Sequence, residues 1–322
     1  MPLEHRFVDT NGIRLHCAVD GDGPLVVFLH GFPECWYSWR HQLAALAPQF
    51  RVVAPDLRGY GDSDKPEGVA AYDRSQLVAD VEGLIKAFGE KSAVIVGHDW
   101  GGAIAWQFAV DRPDMTRRLV VMNCPHPAIF AEHLQSNPRQ LAKSWYMFFF
   151  QIPWLPETLL GLNGAWPIGN AIRQSAIRKD KITDDDLAHL RAAASRPGAL
   201  HAAINYYRAV FRSDEAKANL PPWLRRFLHG DAAPLPIRAR PEDWPKIGAP
   251  TLLIWGEEDV ALRKELTLGL ERVVSAPFEV KYIPGSGHWV QQEAADEVNA
   301  LLLHFLADLA PPAGASVPAT TT

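Results

Sequence analysis

The sequence predicts an α/β protein: a mostly parallel, eight-stranded sheet flanked by helices and carrying one long helical insertion. Three observations lead there. Short apolar, β-branched runs alternate with helical periodicity through the first 124 residues, the alternation stops near Pro125 and resumes at Thr251, and several runs end in loops rich in glycine, aspartate and histidine. Strands that alternate with helices at this pace join in parallel through right-handed crossovers.

Phe7 to Asp9 and Ile13 to Val19 flank Asn11-Gly12, the strongest short hairpin signal, because both turn residues accept a positive φ. Leu25-Val26-Val27-Phe28-Leu29 is apolar throughout, as a strand covered on both faces must be. Trp36 to Ala47 reads as a helix and Arg51-Val52-Val53-Ala54 as the next strand, ended by Pro55-Asp56. After a loop rich in Gly, Asp and Pro, Tyr72 to Phe88 places Leu77, Val81, Leu84, Ile85 and Phe88 on one helical side. Ala93 to Val96 and Leu119 to Met122 are further strands, and Ala103 to Ala109 reads as a buried helix between them. From about Pro125 to about Trp244 no strand pattern occurs. There Leu141 to Phe150, Ile168 to Arg178, Thr183 to Ala194 and Gly198 to Phe211 read as helices separated by proline and glycine. Thr251 to Trp255 and Phe278 to Ile283 resume the strands, and Ala294 to Leu309 is an amphipathic helix. The expected division is a core from 1–124 and 246–310, a helical cap from 125–245, and a disordered low-complexity tail from 311–322.

Composition excludes several classes of function. A net charge of -5 leaves no basic footprint for nucleic acid. Cys17, Cys35 and Cys124 are odd in number and unrelated in spacing, so neither a disulfide framework nor a zinc site is indicated. No stretch approaches the roughly 18 apolar residues of a spanning helix, and the first residues lack a signal-peptide run, so a soluble, cytoplasmic protein is expected. Eleven Trp and 14 Phe, clustered along the chain, point to an aromatic pocket, or to an interface if the protein is a homodimer rather than a monomer.

The chemistry concentrates in Gly97-His98-Asp99-Trp100-Gly101-Gly102. A strand, a glycine-flanked turn and a helix put one reactive side chain at the apex: this is the G-x-S-x-G nucleophile elbow with aspartate in place of serine. A carboxylate nucleophile attacks saturated carbon and leaves an ester on the protein, which points to electrophilic carbons rather than ready-made acyl groups. Its partners belong at the carboxyl ends of other strands. His30-Gly31-Phe32-Pro33-Glu34 follows one strand, and its N–H groups would join that of Trp100 in an oxyanion hole. Gly256-Glu257-Glu258-Asp259 follows another, with Asp259 placed to orient a histidine, and Gly285-Ser286-Gly287-His288-Trp289 follows the last. Nucleophile, acid, histidine is the order in which this architecture presents its triad.

These motifs, with Cys35-Trp36-Tyr37-Ser38-Trp39-Arg40 and Arg58-Gly59-Tyr60-Gly61-Asp62-Ser63, resemble the epoxide hydrolases of the α/β-hydrolase fold over about residues 5 to 310. The resemblance implies two cap tyrosines that hydrogen-bond an epoxide oxygen. Tyr146 in Trp145-Tyr146-Met147-Phe148 fits the first; Tyr207, directly before Arg208, fits the second, with Tyr206 as the competing register. It also implies a small-molecule epoxide as substrate, a pocket wall that includes Pro33, Trp100, Phe150 and Trp289, and no metal or organic cofactor. In the implied reaction Asp99 opens the epoxide while Tyr146 and Tyr207 protonate its oxygen. His288, oriented by Asp259, then activates the water that hydrolyses the ester, and the N–H groups of Phe32 and Trp100 hold the oxyanion. Two alternatives share the scaffold. A haloalkane or haloacid dehalogenase would need halide donors, for which Trp154 and Trp166 are available, and a ligand receptor would need no triad.

Overall fold

The computed structural model describes residues 3–212 and 241–311. Eight strands form one sheet: β1 (Glu4–Thr10), β2 (Ile13–Asp20), β3 (Leu25–Leu29), β4 (Arg51–Pro55), β5 (Ala93–His98), β6 (Thr116–Met122), β7 (Thr251–Gly256) and β8 (Phe278–Ile283). Their spatial order is β1-β2-β4-β3-β5-β6-β7-β8. The β1/β2 and β2/β4 pairs are antiparallel and all others parallel. The β1–β2 hairpin turns on Asn11 (φ 44°) and Gly12 (φ 74°), the positive-φ pair its sequence predicted. Strands β3, β5 and β7 are buried along their whole length.

Helices α1 (Arg40–Leu46), α2 (Arg74–Ala87) and α3 (Trp100–Asp111) lie in the first half of the chain, and α10 (Val290–Glu293) and α11 (Ala295–Phe305) follow the last strand. They cover the two faces. On one, Leu84, Ile85 and Trp106 pack with Ile95 and Val121; on the other, Trp39, Leu43 and Leu302 pack with Val26, Val94 and Val120. Each such large apolar side chain stabilises the fold by about 2 kcal/mol. Between β6 and β7 the described chain holds no strand but six helices: α4 (Pro127–Ser136), α5 (Pro138–Lys143), α6 (Trp145–Phe149), α7 (Leu155–Ser175), α8 (Asp184–Ala194) and α9 (Ala199–Arg212). Residues 213–240 of that interval, and 312–322 of the expected tail, lie outside the described residues.

Several expected helices differ in outline. Trp36 to Ala47 divides into a 3-10 turn, Trp36–Trp39, and α1. Leu141 to Phe150 breaks at Ser144, whose buried hydroxyl takes a hydrogen bond from Gln140 Nε2 at 3.1 Å. The helix expected from Ile168 begins at Leu155 and is interrupted at Leu162–Ala165, where Asn163, Gly164 and Ala165 adopt positive φ. Helix α8 matches its prediction because Thr183 and Asp186 close a reciprocal capping box. Helix α4 was not expected. Its cap is His126, whose ring nitrogen takes the Ala128 N–H at 3.2 Å, a residue type that gives little capping signal.

His126 makes the fold acid-sensitive. It is fully buried, with Trp106 and Trp244 edge-on at 5.5 and 5.1 Å between centroids. Burial first, and then the positive charge of Arg74, push its pKa down to about 3. The unfolded chain takes up that proton near its reference value of about 6.5, so stability falls as pH drops from there toward 3. His126→Asn keeps a capping acceptor and removes the titration. The difference in unfolding free energy between pH 7 and pH 4, measured in urea, is expected to shrink by about 3 kcal/mol.

Candidate active site

Asp99 sits between the end of β5 and the start of α3 with φ 49° and ψ -120°, a conformation an L-residue holds only under constraint. Glycine is required around it. A Cβ on Gly97 would come 2.3 Å from the Gly101 carbonyl oxygen, and one on Gly101 1.9 Å from that of Leu29. The turn therefore closes tightly and brings Asp99 against the loop after β3, where the Phe32 N–H donates to Oδ1 at 2.8 Å. As the first residue of α3, Trp100 has an N–H with no intrahelical partner.

The other two strand ends converge here. His288 Nε2 lies 3.6 Å from Asp99 Oδ2, and its Nδ1 donates to Asp259 Oδ2 at 2.7 Å. Burial alone would discharge the ring, but Asp259 and then Asp99 outweigh it and hold His288 protonated well above its ordinary range. Burial likewise opposes the charge of Asp259, which His288, the Leu262 N–H and Asn123 restore by holding its carboxyl low. The second Asp259 oxygen takes the Ala261 and Leu262 N–H groups at 2.7 and 2.8 Å. Gln140 and Lys143 of α5 grip the same loop: Gln140 bonds the Ala261 carbonyl and the Arg263 N–H, and Lys143 the carbonyls of Asp259 and Val260.

Two supporting residues escaped the sequence reading as such. Asn123, just past β6 at φ 40°, donates to Asp259 Oδ2 at 2.8 Å and accepts the Gly256 N–H at 2.8 Å. Glu34 accepts from the Gly31 N–H, His98, Gln291 and Gln292. Burial opposes its charge, but the His98 ring beside it and then Ser38 pull its pKa down to about 2. Nε2 of His98 donates to the His288 carbonyl at 2.8 Å, so one buried chain links the loop after β3, the elbow and the histidine loop.

The helices between β6 and β7 bring in the tyrosines. Tyr207, buried in α9, packs edge-on against Trp100, Phe32 and Phe150 at 5.0, 5.3 and 4.8 Å between centroids, and Tyr146 of α6 lies 5.9 Å from it. Burial and the charge of Asp99 raise both phenols above their ordinary range, so both stay protonated. Tyr206 points elsewhere: its hydroxyl donates to the Arg58 carbonyl at 2.7 Å within the core. Phe150 shares the cluster of Phe32, Trp100 and the two tyrosines. Pro33 follows Phe32 through a cis peptide bond. Trp289, expected in the pocket wall, lies edge-on to His288, but its indole N–H donates to Ser175 and its cluster is that of Ile168 and Ile172 of α7. Trp154 and Trp166 are 71% and 53% exposed, which leaves them at the surface rather than beside Asp99.

Among the described residues, one group has the types and spacing of metal ligands: His16, Asp56 and Asp62. His16 and the N–H groups of Trp36 and Asp62 already bond the Asp56 carboxylate, so the group reads as a hydrogen-bonded scaffold beside the β2/β4 pair. No described helix is long and apolar enough to cross a membrane.

A family model for the alpha/beta hydrolase fold matches residues 24–295. Epoxide hydrolase 3 of Xenopus tropicalis is 38% identical over 92% of this chain and 75% of its own length. Epoxide hydrolase 4 of Mus musculus is 36% identical over 93% and 78%. This chain belongs to the epoxide hydrolase family of the α/β-hydrolase fold. Among solved structures, the Bacillus megaterium epoxide hydrolase with a bound inhibitor superposes with a TM-score of 0.81 at 29% identity, covering 94% of this hydrolase and 100% of that chain. Epoxide hydrolase A from Mycobacterium thermoresistibile gives 0.74 at 30% identity over 95% and 98%.

Proposed function

We propose that this hydrolase adds water to an epoxide to give a vicinal diol, by way of a hydroxyalkyl ester on Asp99. The observation that carries this reading is the placement of Asp99. One oxygen is fixed by the Phe32 N–H at 2.8 Å and the other lies 3.6 Å from His288, while Tyr207, with Tyr146 beside it, packs on Phe32 and Trp100.

In the first step an Asp99 oxygen attacks a ring carbon, the C–O bond opens, and a phenol donates its proton to the departing oxygen. A phenol suits this role because it stays protonated until the alkoxide forms. Ester formation removes the Asp99 charge, one of the two that keep His288 protonated, so the ring releases its proton, which restores the phenol. In the second step His288 takes a proton from water, which attacks the Asp99 carbonyl carbon. The N–H groups of Phe32 and Trp100 stabilise the oxyanion; its collapse breaks the ester bond, and the leaving oxygen takes up a proton as the diol departs. Residues 125–245, with α4 to α9, would act as the cap that shapes the apolar pocket, and no metal or organic cofactor takes part.

The test is the intact mass of His288→Gln after exposure to a panel of epoxides and haloalkanes. An adduct with the mass of a whole epoxide is the expected result, and it should vanish when Asp99 is also changed to Ala. An alkyl adduct lacking its halogen would instead identify a dehalogenase, and no adduct at all would favour a ligand receptor.

A further inference from the structure

Glu293 is a buried carboxylate that the proposed steps do not use, and its bonds are unusual in being entirely to backbone. Oε1 accepts the Trp289 N–H at 3.2 Å. Oε2 accepts three more: Gly287 at 3.2 Å, Ile177 at 2.8 Å and Arg178 at 3.0 Å. Two of these amides flank His288 on either side, and the other two lie in the inserted segment just after α7. The approach is close enough to constrain the sequence: a Cβ on Gly287 would sit 3.2 Å from Glu293 Oε1 and 3.0 Å from Ile177 Cγ1.

We propose that Glu293 is a positioning residue for the water-activating histidine, fixing the 287–289 loop to the insertion so that His288 keeps its place beside Asp99. The inference rests on the proposed two-step reaction. Glu293 acts through backbone, so its loss moves His288 without removing any group that touches substrate. Ester formation needs Asp99 and the phenols and does not depend on His288 as a base; ester hydrolysis does. Misplacing a catalytic group by about an ångström costs up to a hundredfold in rate.

The experiment compares wild type, Glu293→Gln and Ser175→Ala by rapid quench and intact mass, with an epoxide that alkylates His288→Gln. Ser175→Ala removes a different tie between this loop and the insertion, the bond from the Trp289 indole, and leaves the four amides held. For Glu293→Gln, ester formation is expected at the wild-type rate and ester hydrolysis about ten- to a hundredfold slower, so that the ester dominates the steady state. Ser175→Ala is expected to keep the wild-type ester fraction. Unchanged hydrolysis in Glu293→Gln, equal slowing of both steps, or the same ester build-up in Ser175→Ala would overturn the proposal. If Glu293→Gln is not recovered folded, Glu293→Asp, which keeps the carboxyl group but is one methylene shorter, carries the same comparison. Failure of the two-step reading itself would show separately, as the absence of any adduct on His288→Gln.

Discussion

A single turnover in heavy-oxygen water is expected to leave the label in Asp99 and none in the diol. The ester route dictates this. The oxygen that Asp99 adds to carbon departs with the product, and the water oxygen replaces it in the carboxylate because attack falls on the carbonyl carbon. Mass analysis of the peptide that contains Asp99 reads the result directly. Label in the diol after one turnover would mean that water attacks the epoxide itself and that Asp99 is a base rather than a nucleophile. Asp99→Ala is expected to lower turnover by at least about ten-thousandfold, the size of loss seen when a nucleophile is deleted from an otherwise intact site.

The second large effect belongs to the phenols. Tyr146→Phe or Tyr207→Phe is expected to slow ester formation about a hundredfold, the typical cost of one donor to a developing oxyanion, and the double change about ten-thousandfold. Hydrolysis of an ester already formed should be unaffected. Since burial and the charge of Asp99 hold both phenols above their ordinary range, their donating form is lost only as pH rises through the raised values. Ester formation in the wild type should therefore persist beyond a pH of about 10, where an unperturbed tyrosine is half ionised. Single-turnover rates across alkaline pH test this, and a fall that begins below pH 9 would remove the tyrosines from the role.

What the sequence made legible is the part encoded locally. Strands leading into Gly97-His98-Asp99, His30-Gly31-Phe32 and Gly287-His288 place these residues at the carboxyl ends of a mostly parallel sheet, and the fold puts those ends together. The supporting residues were not legible in the same way. Glu34 and Asn123 work through partners far along the chain, such as the 257 residues between Glu34 and Gln291, and no local pattern announces such contacts. Tyr206 and Tyr207 show a related limit. Neighbours on a helix point about 100° apart, and in α9 both are buried, so periodicity alone does not separate the one bonded to Arg58 from the one packed on Phe32 and Phe150. Helix α4 was hidden by its histidine cap, and the interruption in α7 by three consecutive positive-φ residues of which only one is glycine.

The insertion meets the loops that carry Asp259 and His288 mainly at the loops' own main-chain atoms. Gln140 and Lys143 hold one loop, and Arg178, together with the two amides on Glu293, holds the other. Carbonyls and amides are the same whatever side chain is attached to them. The loops can thus change side chains at positions such as Val260 and Ala261 without loosening the fastening, whereas the insertion must keep the Gln140, Lys143 and Arg178 side chains that make it.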